Sequence, residues 1–147
     1  MLLDPYGMQV DWSTIEAIAK TKAIDLWILF TIGVAVNRLL RKDGKLNKSV
    51  KDKLDNFFGS LDWIEAFYTI EQKDTLFGQH KESKKVVDFD GISNYFVRRL
   101  KKIFVGVAEN PLRLYNSKNN PLYLLCFAAS NKRGAKPALK IANYILK

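Results

Sequence analysis

Two groups of cations carry most of the chemistry that this sequence offers. Arg98, Arg99, Lys101 and Lys102 form a basic stripe, and Lys132 with Arg133 form a second group further on. Guanidinium and ammonium groups clustered in this way suit phosphate oxygens, which they neutralise while releasing condensed counterions. The whole chain agrees in sign: 24 Lys and Arg stand against 15 Asp and Glu, a formal net charge of +9. That balance favours polyanionic partners, nucleic acid first. The same residues serve equally well as a solvated basic face that keeps copies of the protein apart. Other chemistry is thinly supplied. One histidine, His80, and one cysteine, Cys126, lie far apart in the sequence, so they support neither a nucleophilic triad nor a metal cluster, and no metal site is expected. His80 stands in a polar stretch and reads as a surface residue. Cys126 lies inside the apolar run Leu122 to Phe127 and reads as a buried thiol in a reducing compartment.

These side chains need a scaffold, and the length and composition allow one. At 147 residues and 48% hydrophobic composition, the chain buries one core and is read as a single α/β domain over 1–147. Met1 to Leu3 form a strand stub ended by the turn residues Asp4, Pro5, Tyr6 and Gly7. The opening reads as the tail of a strand whose beginning is missing. Ser13 to Glu16 match a capping box for a short helix to about Lys20. Ala23 to Phe30 are almost continuously apolar, which suits a central strand covered on both faces. Gly33 then opens a helix over Val34 to Arg41.

The segment at about 44–90 reads as a helical and mobile insertion. Leu46, Val50, Leu54, Phe57 and Phe58 recur at helical steps up to Gly59. Trp63, Ile64, Phe67 and Tyr68 continue as core aromatics. From Glu71 to Asp88 no apolar period remains, and a mobile excursion is expected. Asp90 reads as the N-cap of a helix that carries Ile92, Phe96, Leu100 and Ile103 on one face and the basic stripe on the other. Phe104 to Ala108, Leu112 to Asn116 and Leu122 to Ala129 read as a terminal β-hairpin with an irregularity at Pro111, and a last helix carries Leu139, Ile141 and Ile145. No basic segment followed by an apolar stretch opens the chain, so no secretory signal is expected. The longest uncharged run, Leu26 to Val36, is about half of the roughly 20 residues that a bilayer requires, so no membrane partner is expected and a cytoplasmic location is.

The strings Asp4-Pro5-Tyr6-Gly7-Met8-Gln9-Val10-Asp11-Trp12-Ser13-Thr14-Ile15-Glu16-Ala17, Ile24-Asp25-Leu26 with Asn37-Arg38, and Asn119-Asn120-Pro121-Leu122-Tyr123-Leu124-Leu125-Cys126-Phe127-Ala128 resemble the C-terminal half of the three-Cys-motif partner family. The resemblance implies the C-terminal half of a Rossmann-like, class I methyltransferase-like sheet. Residues 1–3 would then end its fourth strand, 23–30 would be its fifth, and the hairpin its sixth and seventh. It further implies a partner protein carrying a three-cysteine motif. Asp4-Pro5-Tyr6-Gly7 is similar to the catalytic loop of amino-methyltransferases acting on bases. By that likeness Asp4 would orient an exocyclic amine and Tyr6 would stack on the base. The alternative is a turn that merely ends a strand.

Methyl-donor binding in such a fold needs a glycine-rich turn after the first strand and an acidic residue ending the second, and neither occurs between Met1 and Lys147. No cofactor is therefore expected on the chain alone, with S-adenosylmethionine entering only if an N-terminal half completes the sheet. Exposed strand edges and an apolar face would demand self-association or such a complementing half. Two functions follow: a non-catalytic module associated with nucleic acid, or the substrate-side half of a split methyltransferase.

Overall fold

Apolar residues at every second position of the buried strands organise the structure. The computed structural model describes residues 1–4 and 8–147, with all of their side chains except that of Val34. Strand β1 (Leu2–Leu3) leads to helix α1 (Trp12–Lys20), and β2 (Asp25–Phe30) to a π-helical turn at Ile32–Asn37. Helices α2 (Lys48–Phe58) and α3 (Trp63–Phe67) come next, followed by strands β3 (Tyr68–Thr75) and β4 (Gly78–Lys85). Helix α4 (Phe89–Lys101), strands β5 (Gly106–Val107), β6 (Leu112–Tyr115) and β7 (Pro121–Ala129), and helix α5 (Ala135–Ile145) complete the order.

The main sheet is mixed. Strand β1 lies parallel to β2, with Leu2 opposite Trp27, and β7 runs antiparallel along the other side of β2 from Asp25–Ala129 to Phe30–Leu124. Strands β5 and β6 both pair with the far side of β7. Pro111 falls in the gap between them, because a proline has no N–H to give to the ladder. The strand expected at 23–30 is present over 25–30, with one face buried and the other only half-buried where cover on both was expected, the terminal hairpin is present, and the helices and sheet together make a mixed α/β architecture.

The two faces of the sheet are covered unequally. Leu26, Ile28 and Phe30 of β2, with Leu124, Cys126 and Ala128 of β7, are buried in one cluster with residues of α1, α2, α3 and α4. Phe30 stacks on Phe96 of α4 at 4.0 Å and on Phe57 of α2 at 5.3 Å, which locks the strand to two helices. The other face carries Asp25, Trp27 and Leu29, all half-buried. Helix α5 packs on this face at β5 and β7, through Ala135, Ala138, Leu139 and Ala142 with Leu146 just beyond it, and Trp27 borders the same cluster.

Several local expectations are revised. Helix α1 starts at Trp12, with Asp11 at the N-cap position and no side-chain cap. The indole of Trp12 is buried and donates to Glu16 at 3.1 Å, so the glutamate expected to close a capping box is held by the tryptophan instead. The helix expected over Val34 to Arg41 is present but begins at Ile32 and is π-wound to Asn37, the Val36 N–H reaching back to the Thr31 carbonyl at 3.2 Å. Gly33 is needed there, since a Cβ would lie 1.9 Å from the Pro121 carbonyl oxygen. The N-cap of α4 is Asp88 rather than Asp90; its carboxylate accepts from the Gly91 N–H at 2.8 Å, while Asp90 pairs with Arg113.

The largest revision concerns the stretch expected to be a mobile excursion. It is an antiparallel ribbon, β3–β4, paired from Tyr68–Lys85 to Thr75–Gly78. It shows no apolar period because both of its faces meet water, and charge pairs across the strands take the place of a core: Lys73–Glu82 at 2.6 Å and Lys84–Glu71 at 3.5 Å. Among the described residues no helix is long and apolar enough to cross a membrane.

Candidate nucleic-acid interface

Helix α4 shows how the basic stripe is positioned. Ile92, Phe96 and Leu100 are fully buried, which turns the intervening cations outward, but the stripe divides into two roles. Arg98 is exposed, with its guanidinium 5.5 Å from the centre of the Tyr95 ring. Arg99 instead turns inward. Its Nε donates to the Phe58 carbonyl at 3.1 Å and its Nη2 to the Gly59 carbonyl at 3.0 Å, and its charge lies 4.8 Å over the Trp12 ring. It thereby caps the last carbonyls of α2, which have no partner within the helix. Lys101 pairs with Glu109 at 2.8 Å, and its hydrogen bond and charge hold the Glu109 carboxyl below its ordinary value. Lys102 is exposed.

Beneath the stripe, Asp62 accepts from Ser60 Oγ at 2.5 Å and from the Tyr95 hydroxyl. Its carboxyl is held below the ordinary range by those two hydrogen bonds, with smaller contributions from the charges of Arg99 and Lys102. Burial, and then Asp62, push the Tyr95 hydroxyl upward. These groups fasten α4 to the segment that enters α3.

The second group, Lys132 and Arg133, is exposed in the turn between β7 and α5. The register brings it level with the first group. Asp25, Ala129 and Gly106 lie abreast in β2, β7 and β5, so three connections open on one edge of the sheet: α1 to β2, α4 to β5, and β7 to α5. Ser130 ties two of them together, accepting from the Ile24 N–H at 3.0 Å and donating to the Ile24 carbonyl at 2.6 Å. Two further exposed lysines adjoin the edge, Lys20 as the last residue of α1 and Lys22 in the first connection. They stand alone in the sequence rather than in a run, so only the strand order reveals them as neighbours of this edge. The edge thus presents Lys20, Lys22, Lys102, Lys132 and Arg133 on the helix ends and turns that adjoin these strand ends, an arrangement able to neutralise several phosphates at once.

Asp4 lies away from this edge, exposed just after the carboxyl end of β1. Tyr6 lies outside the described residues. Cys126 is fully buried and its thiol is pushed up to about 12 by burial alone, which removes it as a nucleophile. His80 is exposed on β4. Among the described residues no group of three or more His, Cys, Asp or Glu side chains is placed to hold a metal ion. Comparison of the chain with protein-family models, with curated proteins and with solved structures gives no match in any of the three.

Proposed function

We propose that the chain is a nucleic-acid-associated module, non-catalytic by itself, built on the C-terminal half of a methyltransferase-like sheet. The observation that carries the reading is the meeting of three cation-bearing connections on one sheet edge, through Lys20 and Lys22, Lys102, and Lys132 with Arg133. Arg98 flanks them on α4, while Arg99 and Lys101 act mainly within the fold. Titration of the protein into fluorescently labelled single-stranded nucleic acid, at rising salt, tests it. Each phosphate contact contributes about −0.7 to the slope of log affinity against log salt, so replacing Lys102, Lys132 and Arg133 with alanine should flatten the slope by about 2. Absence of binding at low salt would remove the reading.

A second reading has its own support. Asp4 follows the end of a strand paired in parallel with β2, the position at which α/β sheets commonly place ligands. Under this reading Asp4 and Tyr6 act at the substrate side of a split base amino-methyltransferase. The chain lacks the glycine-rich turn that would hold S-adenosylmethionine, so the donor would be bound by a complementing chain, and no chemical step is assigned to this one alone. The half-covered sheet face, with Trp27 and Leu29, is where such a chain would dock, in keeping with the family resemblance and its three-cysteine-motif partner. Calorimetry separates the two readings: micromolar binding of S-adenosylmethionine by the chain alone would sink the first.

A further inference from the structure

Helix α5 lies off-centre on its sheet. It packs on β5 and β7, and its Asn143 shares a cavity with Val107, Glu109 and Asn110, so that flank faces β5 and the loop that follows it. Ile141 and Ile145 are each two residues from Asn143 and hence about 160° round the helix. They therefore lie on the flank toward β2, exposed at 62% and 51%. Lys140 and Tyr144 are each two residues from the buried Ala142, so both point away from the sheet into water.

The strip of sheet beside that flank is also unfinished. It carries Asp25, Trp27 and Leu29 of β2, all half-buried, and Leu2 of β1, which is opposite Trp27 and 67% exposed. Two strands span about 10 Å, the width of one helix. One oxygen of the Asp25 carboxylate is shut from water and accepts no hydrogen bond among the described residues, which leaves an acid without a donor. The segment from Ala135 to Lys147 has the opposite excess, carrying Lys136, Lys140 and Lys147 and no acid.

One surface of this molecule thus lacks a helix, and its own helix lacks a second sheet. We infer that two copies of the chain pair through this face, each laying α5 on the open strip of the other. A two-fold axis along the strands, between the two helices, brings them into one layer between two sheets. Ile141 and Ile145 then meet their counterparts across the axis, Tyr144 lies over Leu2, Trp27 and Leu29 of the second copy, and Lys140 reaches its Asp25. The levels agree. Leu139 closes on Gly106, where a Cβ would lie 2.9 Å from its Cδ1, and Gly106 is abreast of Asp25; Lys140 is one residue, about 1.5 Å, further along. Charge complementarity commits the strip to this occupant, since the strip calls for a cation and apolar side chains on one helix, and α5 supplies both. The inference is independent of the nucleic-acid reading, and it gives to a second copy the face that the split-enzyme reading gives to a complementing chain. Because the axis follows the strands, the basic edges of both copies fall at one end of the dimer.

Sedimentation velocity of the full chain from about 1 to 100 μM tests the pairing and should show a monomer–dimer equilibrium. Ile141→Lys should weaken the dimer about thirtyfold, the size of an interface hot spot, with an unchanged thermal melt because the position is exposed in the single chain. Lys140→Glu should weaken it about tenfold more than Lys140→Ala, since it sets a carboxylate against Asp25. Mixing Lys140→Glu with Asp25→Lys should restore the dimer as a heterodimer, because each of its two contacts is then a pair of opposite charges. If Asp25→Lys does not fold, Asp25→Asn should abolish the difference between the two Lys140 variants. A chain that stays monomeric at the highest concentration would overturn the inference, as would a dimer indifferent to Ile141 and Lys140. A monomer that binds phosphatidylserine vesicles through Ile141 and Tyr144 would reassign the face and overturn it as well.

Discussion

The two arginines of α4, adjacent in sequence, do different work, and this can be measured. Arg99→Ala removes two hydrogen bonds to the end of α2 and the contact with Trp12, so urea denaturation should show a loss of about 1–3 kcal/mol. Arg98→Ala should stay within about 0.5 kcal/mol, as expected for a surface position. Asp62 makes stability depend on acid. Its folded pKa is depressed, so its contribution is fully present above the unfolded value near 3.8 and is lost as pH falls through the lower folded value. Asp62→Asn should flatten the acid limb of the stability curve in that window, and an unchanged limb would show that Ser60 and Tyr95 do not hold the carboxylate in solution. Cys126 should react with thiol reagents only as the chain unfolds, because its thiol is pushed up to about 12.

At the scale of elements, the aromatic stack between β2, α2 and α4 is the strongest joint. Phe96 is fully buried between Trp12 and Phe30, and Phe96→Ala should cost about 3–5 kcal/mol. The β3–β4 ribbon stands at the other extreme. A two-stranded ribbon held by exposed ion pairs is marginal by itself, so its amides should exchange with deuterium well before those of β2 and β7, and earlier still at high salt. Equal protection of the ribbon and the sheet would contradict this.

For the molecule as a whole, the unequal covering of the sheet is the dominant property. One face is sealed by four helices, while the other keeps Trp27 and Leu29 half-buried, and α5, which packs on that face, turns Ile141 and Tyr144 outward, exposed at 62% and 79%. Under the split-enzyme reading this surface receives a complementing half. Ile141→Lys with Tyr144→Lys should then prevent that docking without lowering the unfolding midpoint, as light scattering and thermal melts of the mixed chains would show.

Much of this organisation was legible in the residues themselves. The continuous apolar run of β2, the helical spacing of α2 and α4, and the proline that interrupts the strand ahead of β7 are local signals, since periodicity and backbone chemistry act within a few residues. Tertiary structure alone decided what depends on partners distant in the chain. It drew Glu16 to the Trp12 indole and away from a cap, turned Arg99 inward, and brought isolated Lys20 and Lys22 to the same edge as Lys132 and Arg133. It also made a ribbon of a stretch with no apolar pattern, because a strand pair solvated on both faces is specified by cross-strand charges, and hydrophobicity along one strand does not record them.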